Sequence, residues 1–223
     1  MNIDLAAADG HRCAAWLARP KGSARGALVV VPEIFGVNSH IRSVADGYAA
    51  DGYLALAPAL FDRVERGVEL GYAAADIERG AALKAACGNE APLLDIAAAI
   101  AHVGTAGGKV GVLGFCWGGL LAWLAACRLD GLAAGVSYYG GGLPQQPDNL
   151  QPRCPVLAHF GEHDAHIPLD SVRRWHAAHA DRVELHLYAA GHGFNCDQRG
   201  SYDAAAATPA RQRSLAFLRQ YIG

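Results

Sequence analysis

The sequence predicts an α/β fold in which a mainly parallel sheet carries helices on both faces. Strand-like and helix-like segments alternate along the chain, which is typical of parallel sheets. The strand-like segments are short and almost continuously apolar, as strands buried on both faces are. The chain has 223 residues, of which 52% are hydrophobic and 18% charged, and this is enough for one full core. We therefore expect one domain spanning residues 1–223.

Each predicted element has a local reason. The strand-like segments are runs of apolar and β-branched residues, at residues 27–32, 53–57, 109–113, 133–138, 155–160 and 183–188. The helix-like segments are longer, and Gly, Pro, Asp or Ser bounds most of them, at residues 40–51, 76–87, 92–103, 118–129, 169–180 and 209–221. Residues 5–18 favour one or two antiparallel strands at the edge of the sheet.

Composition and charge exclude several classes of function. The 19 Lys and Arg residues against 21 Asp and Glu residues give a net charge of -2. The chain therefore lacks the excess of positive charge that attracts the phosphate backbone of a nucleic acid. Its apolar runs fall well short of the roughly 20 residues of a membrane helix. The N-terminus carries Asp4 and no basic opening before an apolar stretch, so we expect a cytoplasmic protein. Six scattered cysteines without a CxxC pair predict reduced thiols.

The segment Gly114-Phe115-Cys116-Trp117-Gly118 joins a predicted strand to a predicted helix, at the end of the sheet where ligands bind. It is a nucleophile-elbow pattern with Cys where Ser usually stands. Small residues two positions before and after the nucleophile relieve the crowding of so sharp a turn. The turn directs the Cys116 thiol out of the sheet and sets the backbone N–H of Trp117 to stabilise an oxyanion. The alternative interpretation is that Cys116 is a small buried side chain at a tight turn.

Two later strand ends supply a candidate acid and a candidate base. Asp164 follows the segment at residues 155–160, and His192 follows the segment at residues 183–188. The order Cys116, Asp164, His192 is the nucleophile, acid, base order of an α/β-hydrolase. Asp164 would orient His192, which takes the thiol proton and later activates water. Glu162 stands in the same loop and is the alternative acid.

The remaining histidines do not predict a metal site. They lack the spacing of a tetrahedral ligand set with an accompanying acid or Cys pair, at His159, His163, His166, His176 and His179. We interpret them as surface residues or as core residues with satisfied hydrogen bonds. The sequence also contains no nucleotide motif, so we predict neither a metal nor a cofactor.

Glu33 follows the first strong strand and faces the same end of the sheet as Cys116. Two interpretations stay open for its carboxylate: it caps the helix that follows Asn38, or it is a second acceptor for the thiol proton. The backbone N–H of Ile34 is the candidate second donor to an oxyanion, because that hole draws on the loop after this strand.

Four separated motifs together resemble the dienelactone hydrolase family, from about Gly26 to the C-terminus. They are Pro32-Glu33-Ile34-Phe35-Gly36, Gly114-Phe115-Cys116-Trp117-Gly118-Gly119, the acid loop around Asp164, and Gly191-His192-Gly193-Phe194. The resemblance implies an α/β-hydrolase fold without a separate lid domain. It also implies a cysteine-nucleophile hydrolase that opens a small lactone through an acyl-thioester, typically the carboxymethylenebutenolide, or dienelactone, of chlorocatechol breakdown.

The resemblance also assigns roles to individual residues. It makes Cys116 the nucleophile, His192 the base and Asp164 its orienting acid. Glu33 would hold the resting thiol and help to ionise it when substrate arrives. The N–H groups of Ile34 and Trp117 would hold the oxyanion.

Substrate recognition is the point at which the chain departs from the family pattern. Enzymes that act on dienelactone bind its carboxylate with arginines, one on the helix before the elbow strand and one shortly after the catalytic histidine. Arg79 and Arg199 are the candidates here, but the position directly after His192 is not basic, and we expect Arg199 to lie at the surface. Phe35 and Tyr139 are candidate pocket-lining residues or core aromatics.

Three other hypotheses have to be weighed. The same triad can act on other small carboxylic esters or thioesters. A fold similar to the glutamine amidotransferases combines a Cys elbow with a Glu, but it has no use for Asp164 and His192 at these strand ends. A degenerate hydrolase would serve as a binding module for a small molecule. The sequence leaves the oligomeric state open.

Overall fold

The computed structural model describes residues 1–106 and 108–223, and within them eight strands form one sheet. The strand order across the sheet is β1-β2-β4-β3-β5-β6-β7-β8. The strands are β1 (Asn2–Ala6), β2 (Arg12–Ala18), β3 (Ala27–Val31), β4 (Leu54–Pro58), β5 (Val110–Phe115), β6 (Leu132–Tyr138), β7 (Val156–Gly161) and β8 (Val183–Tyr188). β1 and β2 are antiparallel, whereas the strands from β4 to β8 in the sheet order run parallel. The predicted fold class and the predicted antiparallel edge are both confirmed.

Six α-helices connect or flank these strands in the described residues. They are α1 (Ser39–Ala50), α2 (Ala74–Cys87), α3 (Glu90–Gly104), α4 (Trp117–Arg128), α5 (Leu169–His179) and α6 (Ala204–Ile222). Two short 3-10 helices, Leu60–Arg63 and Leu143–Gln145, were not predicted. None of the helices in the described part of the chain is long and apolar enough to span a bilayer.

The helices lie on both faces of the sheet, as two glycines in neighbouring strands make clear. A side chain added at Gly111 in β5 would contact Leu218 and Ile222 of α6, whereas one added at Gly135 in β6 would contact Ala126 of α4. Gly111 pairs in register with Ala134, the residue before Gly135, and successive strand residues point to opposite faces. Therefore α4 and α6 cover opposite faces of the sheet.

The prediction for the last helix was wrong at its start. The helix begins at Ala204, five residues before the predicted Pro209. Asp203 caps it, because its side chain accepts hydrogen bonds from the N–H groups of Ala205 and Ala206. The alanine run that follows has a high helix propensity, and this outweighs the loss of one backbone hydrogen bond at Pro209. The other predicted helices and strands end within two residues of the observed ones.

The register of the central strands brings two candidate loops together. Val31 of β3 pairs with Gly114 of β5 in a parallel register. Ile34 and Trp117 each follow their strand partner by three residues, so the two loops leave the sheet at the same level. Every residue of β3 and β5 is buried, so the two loops leave the sheet from its core.

Candidate active site

Cys116 lies at the sharp turn between β5 and α4. Its backbone has φ 53° and ψ −116°, a region that residues other than glycine rarely adopt. Hydrogen bonds hold the turn: the N–H of Cys116 donates to the carbonyl of Tyr138 at 3.0 Å, and its carbonyl accepts from the N–H groups of Gly119 and Gly141. The surrounding structure therefore imposes a strained conformation on this residue, as is common where a side chain must be aimed at a ligand.

The flanking glycines have the role that the sequence predicted. A Cβ atom at Gly114 would overlap the backbone carbonyl of Gly118. A Cβ atom at Gly118 would overlap the carbonyl of Val31 at the end of β3. Both contacts are with backbone atoms that cannot move aside cheaply, so only glycine allows the turn to pack against β3.

The strain at Cys116 leads to a stability prediction. We expect the Cys116→Gly variant to exceed Cys116→Ala in free energy of unfolding by about 1 kcal/mol, because glycine adopts this backbone region without strain. Urea denaturation of the two variants measures the difference. Ala122→Gly, in the middle of α4, is the matched control and should show the ordinary order, with glycine less stable than alanine. An alanine variant at position 116 that is as stable as the glycine variant would contradict stored strain.

His192 and Asp164 form a hydrogen-bonded pair at the end of the sheet that holds Cys116. Nδ1 of His192 lies 2.7 Å from Oδ2 of Asp164. The Asp164 side chain is fully buried, and its Oδ1 accepts from the backbone N–H groups of His166 at 2.8 Å and Ile167 at 3.2 Å. The carboxylate is thus fixed by its own loop. Glu162, the alternative acid, is exposed.

The pKa of His192 reflects its two neighbours. Burial lowers the pKa of its imidazole, but hydrogen bonds to Asp164 and Cys116, together with the charges of these groups, raise it to about 10. Burial also raises the pKa of Asp164, but the hydrogen bond to His192 and the charge of His192, together with the backbone N–H of His166, bring it below its usual value. Asp164 and His192 therefore each favour the charged form of the other.

Glu33 is buried and pairs with an arginine from the loop after β8. Its side chain is 1% exposed, and its Oε1 accepts from Nη1 of Arg199 at 3.2 Å. The Arg199 guanidinium also lies over the rings of Phe35 at 5.4 Å and Tyr72 at 5.8 Å. The expectation that Arg199 lies at the surface was wrong, because its side chain is only 17% exposed. The carboxylate and these aromatic rings draw it inward, a contact between distant loops that the local sequence does not reveal.

Glu33 does not cap the helix that follows it. The side chain of Asn38 accepts a hydrogen bond from the N–H of Ile41 at the start of α1 and performs that function. The Glu33 carboxylate instead points to Arg199. Of the two interpretations left open by the sequence, the capping role is therefore wrong.

The family model of the dienelactone hydrolases matches residues 13–222. The chain belongs to the dienelactone hydrolase family. It is 33% identical over 225 residues to the carboxymethylenebutenolidase of Pseudomonas putida, covering 97% of this chain and 94% of that one. A Synechocystis protein provisionally given the same name is 38% identical over 203 residues, covering 83% of this chain and 82% of the relative. The resemblance drawn from the four motifs is thus confirmed, and the chain is a hydrolase of this family.

A solved structure supports the same assignment. A crystal structure from Klebsiella pneumoniae, provisionally described as a dienelactone hydrolase, superimposes with a TM-score of 0.86 at 31% sequence identity. The match covers 99% of both chains. The α/β-hydrolase fold of the family therefore extends over the whole of this hydrolase.

Tyr139 is the aromatic residue that contacts the candidate base. It is fully buried, with φ 38°, and its ring lies 5.1 Å from that of His192 and 5.2 Å from that of Phe194. Burial, followed by the charges of Glu33, Cys196 and Cys116, raises the pKa of its hydroxyl well above the usual value. Tyr139 therefore lies at the centre of the site, where its strained backbone aims the ring at His192. Phe35 is also buried and packs edge-on against Tyr72.

Arg79, the other candidate for substrate binding, lies at the rim. It forms an ion pair with Glu65, and about half of its side chain is exposed. The next residue, Gly80, packs so closely on the carbonyl of Ile34 that a Cβ atom there would overlap it. Helix α2 thus covers the loop that carries Glu33, while the Arg79 guanidinium points to Glu65.

Three of the histidines that the sequence set aside, His159, His176 and His179, bond to groups outside the candidate site, whereas the ring of His166 lies 5.5 Å from that of His192. His159 is buried between the hydroxyls of Tyr188 and Ser214, at 2.9 Å from each. His176 and His179 lie within hydrogen-bond distance of the carbonyls of Val183 and Trp175. Their roles are structural, as predicted. Three residues near the site were missed, His40, Tyr72 and Cys196, and nothing in their spacing could have pointed to them.

Proposed function

We propose that this hydrolase opens a small lactone of the carboxymethylenebutenolide type through Cys116 and an acyl-thioester intermediate. One observation carries the proposal: the chain of contacts from Cys116 through His192 to Asp164 lies beside a buried Glu33–Arg199 ion pair. The first part supplies a nucleophile with its base. The second supplies a cation for a substrate carboxylate and a further acceptor for a proton.

Substrate binding would change the proton balance of the site. A lactone carboxylate that bonds to Arg199 competes with Glu33 for the guanidinium, which is a strong carboxylate partner. Glu33 is then left as a buried carboxylate without its counter-charge, and its affinity for a proton rises. Glu33 would accept the proton of Cys116 at that moment. The nucleophile is thereby activated by the substrate itself.

The chemistry then proceeds in two steps. The Cys116 thiolate attacks the lactone carbonyl, and the N–H groups of Ile34 and Trp117 stabilise the oxyanion. The ring C–O bond breaks and releases an enolate, which is a stabilised leaving group and needs little protonation. His192 then takes a proton from water, the hydroxide attacks the thioester, and the Cys116 thiolate leaves as the acid product forms.

Steady-state hydrolysis of dienelactone, followed by ultraviolet absorbance, tests the proposal. We expect saturable turnover that is abolished in Cys116→Ala. If dienelactone is inert and Cys116 still cleaves a p-nitrophenyl ester, the triad acts on another small ester. Arg79 forms an ion pair with Glu65 and so does not offer its charge to a substrate carboxylate. This favours the second candidate function, hydrolysis of another small ester. If neither compound turns over, the chain is a binding module, and iodoacetamide should then label Cys116 no faster than the other five thiols.

The carboxylate-binding role of Arg199 can be tested separately. We expect Arg199→Gln to lower kcat/KM for dienelactone by about 10- to 100-fold, mainly through KM, because one charge-assisted hydrogen bond is lost. An uncharged p-nitrophenyl ester should be affected much less. Arg153→Gln removes an exposed arginine paired with Asp130 and is the matched control. An equal decrease in kcat/KM for the charged and the uncharged substrate would show that Arg199 does not bind the substrate carboxylate.

A further inference from the structure

Three buried electron-pair donors meet beside the candidate active site. Glu33, His40 and Cys196 each offer one ligand atom, and these atoms all lie within 4.8 Å of one another. The residues are 1%, 3% and 0% exposed. They come from the loop after β3, from α1 and from the loop after β8, so only the fold brings them together.

One side-chain atom in each of Glu33 and His40 has no hydrogen-bond partner among the described residues. They are Oε2 of Glu33 and Nε2 of His40, and both atoms are buried. Arg199 binds only the other carboxylate oxygen of Glu33. Buried polar atoms without a partner are costly and uncommon in native structures, so each of them needs a reason.

The second ring nitrogen of His40 indicates what that reason is. Nδ1 lies 3.2 Å from Oδ1 of Asp197, a contact in which the ring N–H donates to the carboxylate oxygen. Nε2 of His40, which has no hydrogen-bond partner in the described part of the chain, is then the ring atom left to bind a ligand. A histidine that binds a metal usually donates its other N–H to a carboxylate in this way. Asp197 is the neighbour of Cys196, so one short loop orients one ligand and supplies another.

We propose that Glu33, His40 and Cys196 form a binding site for Zn²⁺ or a similar transition-metal ion. A carboxylate, an imidazole and a thiolate are the ligand types that zinc takes, at about 2.0–2.3 Å. Ligand atoms of a tetrahedral site lie roughly 3.3–3.8 Å apart at such bond lengths, so each side chain has to move by about 1 Å or less. Cys196 releases its proton to solvent as the metal–sulfur bond forms, and water supplies the fourth ligand.

The charge balance and a route from solvent both fit this site. Zn²⁺ with one thiolate and one carboxylate has no net charge, which lowers the cost of holding the ion in a buried place. Oε1 of Glu33 keeps its contact with Arg199 while Oε2 binds the ion. A cavity of about 370 Å³ between α1 and α6 is lined by His40 and Asp197 and provides the way in.

The consequence for catalysis rests on the proposed function. A metal ion on Glu33 removes the acceptor for the Cys116 proton, so occupancy of the site would inhibit lactone hydrolysis. Metal binding itself does not depend on that function, and the experiment below therefore measures binding in a protein that has no nucleophile.

The experiment is a Co²⁺ titration of the full chain carrying Cys116→Ala, which prevents the catalytic thiol from binding metal. We expect one Co²⁺ per chain, with a thiolate-to-cobalt charge-transfer band in the near ultraviolet that Zn²⁺ abolishes by displacement. Cys196→Ser and His40→Ala, added to this background, should each eliminate the band. Cys154→Ser removes a buried thiol before β7 and should leave it unchanged.

A milder variant protects the result against misfolding. The Asp197 side chain is 63% exposed, so Asp197→Asn should fold normally and still weaken Co²⁺ binding by about 10- to 100-fold through the loss of His40 orientation. Three outcomes would overturn the proposal. They are the absence of a charge-transfer band in the Cys116→Ala protein, a band that persists in Cys196→Ser, and affinity unchanged in Asp197→Asn.

Discussion

Replacing Cys116 by serine is expected to lower kcat/KM for the lactone by about 10³-fold or more. A thiol has a pKa of about 8.5, whereas a hydroxyl is far harder to ionise, so a carboxylate such as Glu33 cannot take its proton. The pKa of His192 is raised to about 10 partly by hydrogen bonding to Cys116 and by its charge, an interaction that a neutral serine would not supply. The site is therefore adapted to a thiolate.

The measurement is steady-state hydrolysis of dienelactone by the serine variant and the unmodified protein. Serine differs from cysteine by one atom, so the strained turn and the flanking glycines should be unaffected and the free energy of unfolding should change little. Cys154→Ser, a serine substitution at a buried thiol before β7, is the control and should keep full activity. Near-full turnover in Cys116→Ser would rule out the thiolate mechanism.

The strands were predictable because burial on both faces leaves a continuous apolar run in the sequence. β3 and β5 illustrate this, since every one of their residues is buried. The start of α6 was not predictable in the same way. Proline usually marks the first turn of a helix, but here the Asp203 cap and the alanine run place Pro209 inside it. A local rule failed where neighbouring residues outweighed it.

The candidate catalytic residues were predictable because each follows directly from a strand end. Cys116, Asp164 and His192 are placed by the sheet, and the order of the strands sets their proximity. Arg199 was not predictable, because its loop after β8 folds back to Glu33 over a separation of 166 residues. The same fold-back carries Cys196 and Asp197 to His40. The path of a loop that folds back to the site cannot be predicted from the sequence, because a loop has no hydrophobic periodicity that would indicate where it lies.

Asparagine at position 164 is expected to lower kcat by about 10⁴-fold while the protein stays folded. The Oδ1 atom that accepts from the N–H groups of His166 and Ile167 is preserved in the amide, so the loop keeps its conformation. The amide nitrogen then occupies the place of Oδ2 and donates a hydrogen to Nδ1 of His192. His192 must carry its proton on Nε2 instead, where it can no longer accept one from Cys116 or water.

The pH dependence of stability is an independent test of the contact between Asp164 and His192. Asp164 helps to raise the pKa of His192 from 6.5 to about 10, so the folded state holds a proton that the unfolded state has lost in that interval. The resulting stabilisation is complete below about pH 6.5 and disappears as the pH rises through 10. Because the amide cannot stabilise the imidazolium, Asp164→Asn should lose less free energy of unfolding across this interval than the unmodified protein. Parallel curves for the two proteins would mean that Asp164 does not hold the charge of His192, and a large loss of activity would then need another cause.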